Sequence, residues 1–274
     1  LLQSVDGFPA LISDPWLNGR LTTLHACSDL WASGAHVISA QAVITLPKVS
    51  SELQQELLVQ TLKGIQSTLE PQGAKLIGGH TLEARSIPPQ PINLGIQLTL
   101  SVNGKVASGR VPWSKGKLQS GDVLLLSRPI GSGVIFAAAM AGEAHPEDLD
   151  AALAQMTISQ HNLLTALRSL EERHTGMQTI HACTDITGFG LLGHLGEMLS
   201  ASNHQRHSAG LQPLRLILEA AAIPSLQGAL LLLKAGYSST LAPANRRNWH
   251  LLNPSINGEA APIEIALNDV TPGS

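Results

Sequence analysis

Apolar residues recur with a helical period through Leu17, Leu21, Leu24 and Leu30, behind an Asp14-Pro15 start, so the spacing predicts a helix over residues 16–33. Residues 37–46 are rich in Val, Ile and Ala and stop at Pro47, which reads as a strand. Leu53, Leu57, Leu58, Leu62, Ile65 and Leu69 then fall on one face of a helix over residues 52–69. An apolar strand at residues 74–77 runs into a Gly78-Gly79-His80-Thr81 loop. Leu94, Ile96, Leu98, Leu100 and Val102 alternate with polar or small residues, as a half-buried strand does. One α/β unit closes there.

Residues 103–121 carry Gly104, Gly109, Gly116 and Gly121 with few apolar neighbours, a composition shift that places a domain join. Beyond it the pattern predicts a strand at 123–127 and a Pro129-to-Gly133 turn that opens an Ala-rich helix. A second helix near 158–173 and a strand at 179–184 follow. Residues 203–212 read as a loop and 226–235 as a helix, while 242–258 carry no regular pattern. The expected class is mixed α and β in two domains, each a mixed sheet packed with helices, over residues 1–106 and 107–274. The opening Leu1-to-Asp6 stretch reads as a strand already under way, and Pro272-Gly273-Ser274 as a turn. The chain is therefore expected to be a piece of a longer protein, its first domain shortened at the N-terminus and its second at the C-terminus.

Seventeen Lys and Arg against twenty Asp and Glu leave no basic excess for a nucleic-acid backbone or an anionic membrane surface. No apolar run reaches the roughly 18 residues of a bilayer span, so a cytoplasmic setting is expected. Cys27 and Cys183 are too few for a disulfide framework and read as reduced, packed thiols rather than nucleophiles. His25, His36 and His80 are scattered, and His204 and His207 fall in the expected loop, a distribution that disfavours zinc.

Candidate chemistry concentrates between His181 and Met198. An apolar strand ends at Asp185, Gly188 and Gly190 let the backbone approach a ligand closely, and a helix begins with its amides and dipole aimed at that point. A magnesium ion bridging carboxylate and phosphate oxygens suits this arrangement. The same residues also fit a plainer role in which Asp185 and Thr187 cap the helix and the glycines shape the turn. The Gly79-His80-Thr81 loop offers amide, imidazole and hydroxyl donors to a phosphate or ribose, or is an ordinary turn. Asp6, at the end of its strand, and Asp29, late in its helix, are carboxylates at element ends. If they met Asp185, their repulsion would require a cation between them.

The motif T-D-I-T-G-F-G-L-L-G-H-L-G-E-M from Thr184 to Met198 closely resembles the signature of selenophosphate synthetases, the selenide, water dikinases. The resemblance extends through Asp14-Pro15, Gly19-Arg20, Ser28-Asp29, the Gly78-to-Thr81 segment and Ser127-to-Gly133, and more loosely from Ile223-Pro224 to Asn248. It implies the two-domain fold of the aminoimidazole ribonucleotide synthetase superfamily, in which residues 1–106 would bind ATP and pair two subunits through their sheets. The implied reaction turns ATP, selenide and water into selenophosphate, AMP and phosphate. By position, Asp29 and Asp185 match the family's magnesium ligands, and Asp6, Gly79, His80 and Thr81 match its nucleotide contacts. The family's glycine-rich segment with its reactive Cys or selenocysteine and its catalytic Lys would lie upstream of Leu1, so no catalytic residue is assigned within this chain.

Several positions depart from the family pattern. His25 stands where Asn is usual, Ala32-Ser33-Gly34-Ala35 replaces a more glycine-rich turn, and Asp269-to-Ser274 only echoes a late family motif. His25, Thr81 and Glu83-Ala84-Arg85 look more like the synthetase-like domains fused behind pyridine-nucleotide-disulfide oxidoreductases. Two other readings remain open: another ATP-using member of the superfamily, or a catalytically silent nucleotide-binding module of a larger protein.

Overall fold

The computed structural model describes residues 1–84, 95–174, 179–245 and the backbone of 263–266. Arg85, Leu94, Asn248, residues 246–258 and Asp269-to-Ser274, all used in the sequence reading, lie outside the described residues. The elements run β1 (Leu2–Phe8), α1 (Pro15–Ala32), β2 (His36–Leu46), α2 (Ser51–Leu69), β3 (Lys75–Glu83), β4 (Gln97–Lys105), α3 (Ser132–Met140), α4 (Pro146–Met156), α5 (His161–Arg173), α6 (Gly190–Ser208), β5 (Leu216–Glu219), α7 (Ala229–Lys234) and β6 (Ile263–Ala266). They fall into two units, Leu1–Trp113 with Thr157–Ile180, and Ser114–Met156 with His181–Ser274.

The first unit is a four-stranded mixed sheet in the order β1-β4-β2-β3, antiparallel except for the parallel β2–β3 pair. Its strands form where apolar residues alternate. Leu98, Leu100 and Val102 of β4 and Ala40, Ala42, Ile44 and Leu46 of β2 are buried. With Leu21, Leu24, Cys27 and Leu30 of α1 and Ile65 and Leu69 of α2 they form the core. Helix α1 starts where expected because the Asp14 carboxylate accepts from the Leu17 amide at 2.7 Å and Pro15 occupies the first turn. Helix α2 is capped by Ser50, whose hydroxyl accepts from Leu53. The two helices approach closely through glycine: a Cβ on Gly64 would strike the Trp16 carbonyl, and one on Gly19 the Thr61 carbonyl.

Two sequence expectations change in this unit. Residues 78–81 are not a loop: β3 continues through them to Glu83, paired with β2 as far as Leu46. The ladder survives the glycines because a bulge between Ala40 and Gln41 absorbs one residue, and Gly79, lacking a Cβ, lets β3 lie against the Ala42 carbonyl. Asp6 is not at a strand end, since β1 runs on to Phe8.

Helix α5 returns to this unit from beyond α4. The Arg168 guanidinium donates twice to the Gly34 carbonyl, at 3.1 and 2.7 Å, and pairs with Glu171 at 2.8 Å. It also lies over the Trp113 ring at 4.2 Å from the centroid, while the Trp113 indole N–H donates to Glu171 at 2.9 Å. Buried charges are stable only when paired and hydrogen-bonded, and this group satisfies both conditions.

The second unit holds two small cores, Leu118, Leu195, Met198, Leu199 and Leu218 around α6, and Ile135, Ala152, Leu226 and Ala229 among α3, α4 and α7. Strands β5 and β6 pair in parallel. Here the sequence reading is corrected more often. Residues 123–127 and 179–184 form no ladder among the described residues; Val123 and Leu125 are left 82% and 85% exposed. Helix α6 runs through to Ser208, where a loop was expected. Ser202 is buried and returns its hydroxyl to Met198, and Arg206 and His207 suit the negative end of the dipole. Helix α4 and strand β5 were not anticipated, and α7 is shorter than the expected 226–235.

Candidate functional site

In the first unit, β1 and α1 bring polar side chains of the two elements together. Alternation puts Ser4, Asp6 and Phe8 on one side of β1, and helical spacing puts His25 and Asp29 on one side of α1. The elements run in opposite directions, so the residues meet in register. His25 Nε2 lies 2.7 Å from an Asp6 oxygen, and the Ser4 hydroxyl donates to Asp29 at 2.7 Å. The imidazole also stacks on Phe8, with ring centroids 4.3 Å apart, and the other Asp6 oxygen accepts from the Gly7 amide at 2.7 Å. Asp6 is thus held on both oxygens. Asp29 is exposed, with one oxygen engaged by Ser4.

On β3, the register sets Gly79 beside Ala42 and Thr81 beside Ile44; Ala42 and Ile44 are buried on the helix side of the sheet, while Gly79 and Thr81, on the edge strand, are exposed. His80 pairs with the exposed Val43 and so belongs to the opposite face. The three residues read together in the sequence are therefore divided between two faces. Cys27 sits at the core of α1, fully buried, and burial pushes its thiol up to about 12, which keeps it protonated and unreactive.

In the second unit, Asp185 precedes a turn in which the Gly190 amide donates to the Thr187 carbonyl at 2.9 Å, with Gly190 at φ 72°. Helix α6 follows directly. Phe189 occupies its N-cap position without a side-chain cap bond, so the cap expected from Asp185 or Thr187 is not the one formed. Instead the loop is tied down from further along the chain. His194 Nε2 lies 3.1 Å from both the Thr187 amide nitrogen and its hydroxyl, and the Asn245 side chain donates to the Gly188 carbonyl at 2.8 Å. Earlier in the same segment His181 Nδ1 lies 2.7 Å from Asp122, whose other oxygen accepts from the Gln119 amide. Ser4, Phe8, His181, His194 and Asn245 escaped the sequence reading as partners. Only Ser4 and Phe8, two residues either side of Asp6, had a spacing that marks them.

Asp6 and Asp29 belong to the first unit and Asp185 to the second. Within either unit, among the described residues, no three His, Cys, Asp or Glu side chains converge as a ready metal cage. No helix among them is long and apolar enough to cross a membrane.

Two halves of one family account for this chain. Residues 1–106 match the N-terminal domain and residues 119–206 the C-terminal domain of the AIR synthase related proteins. The chain belongs to that family and has its two-domain fold. Within it, a selenide, water dikinase from Pelobacter propionicus is 32% identical over 199 residues, which is 73% of this chain and 51% of that protein. The chain spans about half the length of the curated relatives it matches. Among solved structures, thiamine-monophosphate kinase from Stenotrophomonas maltophilia superimposes with a TM-score of 0.62 at 18% identity, over 90% of this chain and 69% of that one. The hydrogenase maturation protein HypE in complex with ATP gives 0.61 at 14% identity, over 91% and 72%. These two likenesses bear on the fold.

Proposed function

We propose that this chain is the nucleotide-handling part of a selenide, water dikinase, which turns ATP, selenide and water into selenophosphate, AMP and phosphate. The observation that carries the reading is the Thr184-to-Met198 motif, folded as a glycine-shaped turn in front of α6, in a chain whose curated relatives bear that name. A solved member of the same fold in complex with ATP is consistent with it.

In this reading Asp6, Gly79, His80 and Thr81 contact the nucleotide, and Asp29 and Asp185 hold magnesium. The donor set fits a hard cation, because carboxylate oxygens are its preferred ligands and Asp29 is exposed with Ser4 engaging only one of its oxygens. Bound magnesium supplies positive charge against the polyphosphate, which is the chief need of phosphoryl transfer. The chain's own part is orientation: Ser4 fixes the Asp29 carboxylate, and the turn ahead of α6 fixes the backbone that carries Asp185. The reading divides the protein into an ATP-binding and dimerising domain at 1–106 and a second domain at 107–274, and makes it a cytoplasmic homodimer. The near balance of seventeen basic and twenty acidic residues supports leaving nucleic acid and membrane surfaces out of its partners.

Titration calorimetry of ATP, with and without magnesium and with GTP as control, tests this. The expected result is magnesium-dependent binding of ATP alone, weakened about tenfold or more by Asp185→Asn, the usual scale for a lost metal ligand or its support. The circular dichroism spectrum should not change. Unaltered affinity in that variant would remove Asp185 from the site.

One observation favours a second reading, a catalytically silent nucleotide-binding module: His25 occupies an oxygen of Asp6, at a position where the resembled family carries Asn. An assay of selenide-dependent AMP formation by the full-length protein separates the two. ATP binding without AMP formation would select the silent module.

A further inference from the structure

The turn that carries Asp185 is closed by a side chain seven residues beyond its last threonine. His194 is 4% exposed, and its Nε2 lies 3.1 Å from the Thr187 backbone nitrogen. A backbone N–H can only donate, so Nε2 must present its lone pair, which places the ring proton on Nδ1. That Nδ1 is buried 3.8 Å from the Glu197 carboxylate, within ion-pair range but too far for a hydrogen bond, and Glu197 is held in turn by Lys115 at 3.1 Å. The Phe189 ring stands edge-on to the imidazole, with centroids 6.0 Å apart. In a capping box, a Glu or Gln in the first turn of a helix reaches back to the N-cap N–H. Here α6 has no side-chain cap at Phe189, and an imidazole of its second turn reaches further back, to the N–H two residues before the cap.

We infer that His194 is a positioning residue, which fixes the Asp185 turn by accepting the Thr187 amide hydrogen as the neutral, Nδ1-protonated tautomer. This rests on the reading of Asp185 as a ligand of the magnesium–nucleotide complex and adds the group that orients it. Loss of the acceptor leaves Asp185 in place chemically and frees the backbone that aims it. Gln carries an amide oxygen near the position of Nε2 and retains the acceptor, whereas Leu fills the volume without one.

The full-length protein, its His194→Gln variant and its His194→Leu variant provide the test, with two readouts. Nitrogen NMR of the imidazole and hydrogen exchange at the Thr187 amide report the bond without any ligand. Calorimetry with magnesium and ATP reports its consequence. The expected results are an Nδ1-protonated ring and a protected Thr187 amide in the wild type, protection kept by Gln and lost with Leu. Affinity should fall about tenfold or more with Leu, the scale seen for outer partners of metal ligands, and be restored with Gln. An Nε2-protonated ring, an unprotected Thr187 amide in the wild type, or a Leu variant that binds as the wild type does would overturn the inference. If the Leu variant does not fold, the wild-type tautomer and the Gln variant decide it. If the wild type binds no nucleotide, the functional reading fails, while the tautomer and amide exchange still decide the role of His194 in the turn.

Discussion

Cys27 shows how little a residue's chemical name says about its use. Its side chain is fully buried on α1, and that burial outweighs a hydrogen bond from Gln72, raising the thiol from 9.0 to about 12. A group whose folded pKa is raised favours the native state below its unfolded value and loses that advantage as pH climbs toward the folded one. Stability is therefore expected to be independent of this thiol below about 9 and to decline between 9 and 12. At pH 8 a thiolate-directed reagent should leave Cys27 untouched in the native protein and modify it once urea unfolds the chain. Peptide mapping before and after unfolding checks this, and native labelling at Cys27 would show that α1 opens far more readily than its packing implies. The packed role was legible from the sequence, because a small thiol among Leu24, Ala26 and Leu30 sits on an apolar stretch. The pairing of His25 with Asp6 was not, since it depends on β1 and α1 running antiparallel in register.

At the scale of elements, the contact between α1 and α2 is set by two glycines that a helix would otherwise avoid. Gly in a helix interior costs about 1 kcal/mol relative to Ala, so an exposed helical Gly is normally improved by Ala. Gly64 should behave in the opposite way, because its added methyl would meet the Trp16 carbonyl, a backbone atom with no rotamer to escape by. Gly64→Ala is expected to destabilise by about 1–3 kcal/mol, the range for overpacking, despite its better helix propensity. A urea melt with an unchanged or higher midpoint would mean that the helices separate without cost. Helix α2 and strands β2 and β4 were legible because each buries one face against the core, so its period shows in the sequence, and α1 because its leucines keep a helical spacing although it is buried on most sides. Residues 123–127 misled because an apolar run signals a strand only if another strand pairs with it, and among the described residues none does. The Gly78-Gly79 break misled in the reverse sense: glycine marked a turn, yet its missing side chain is what keeps β3 on the ladder. Helix α4 carried usable signals, Pro146 at its start and Glu147 and Asp148 in its first turn, but only a short apolar pattern behind them.

For the molecule as a whole, sequence order and cooperative structure diverge at α5. The composition shift after Asn103 pointed to a join, but nothing in the sequence says that residues 157–180 rejoin the unit that the chain left at Trp113. The cause lies in four residues from three separate stretches of the sequence. Arg168 binds the Gly34 carbonyl at the α1–β2 turn, stacks on Trp113 and pairs with Glu171, which also receives the Trp113 indole N–H. His161, at the other end of α5, meets His36 edge-on at 5.8 Å, which adds a second attachment to the start of β2. Regions that share buried contacts open together in native-state exchange, whatever their order along the chain. Amides in α5 should therefore lose protection in the same urea range as α1 and β2, and apart from α3 and α4. Replacing Arg168 with Met leaves Glu171 buried without its partner, which costs about 3–5 kcal/mol for such pairs and should uncouple α5 from the sheet. Hydrogen exchange resolved by peptide along a urea series gives both results in one experiment. If α5 opened with α3 and α4 in the wild type, the Arg168 group would be a surface contact with little hold on the unit. If the Met variant kept α5 coupled to β2, the attachment would lie in apolar packing around Leu164 rather than in the charge network.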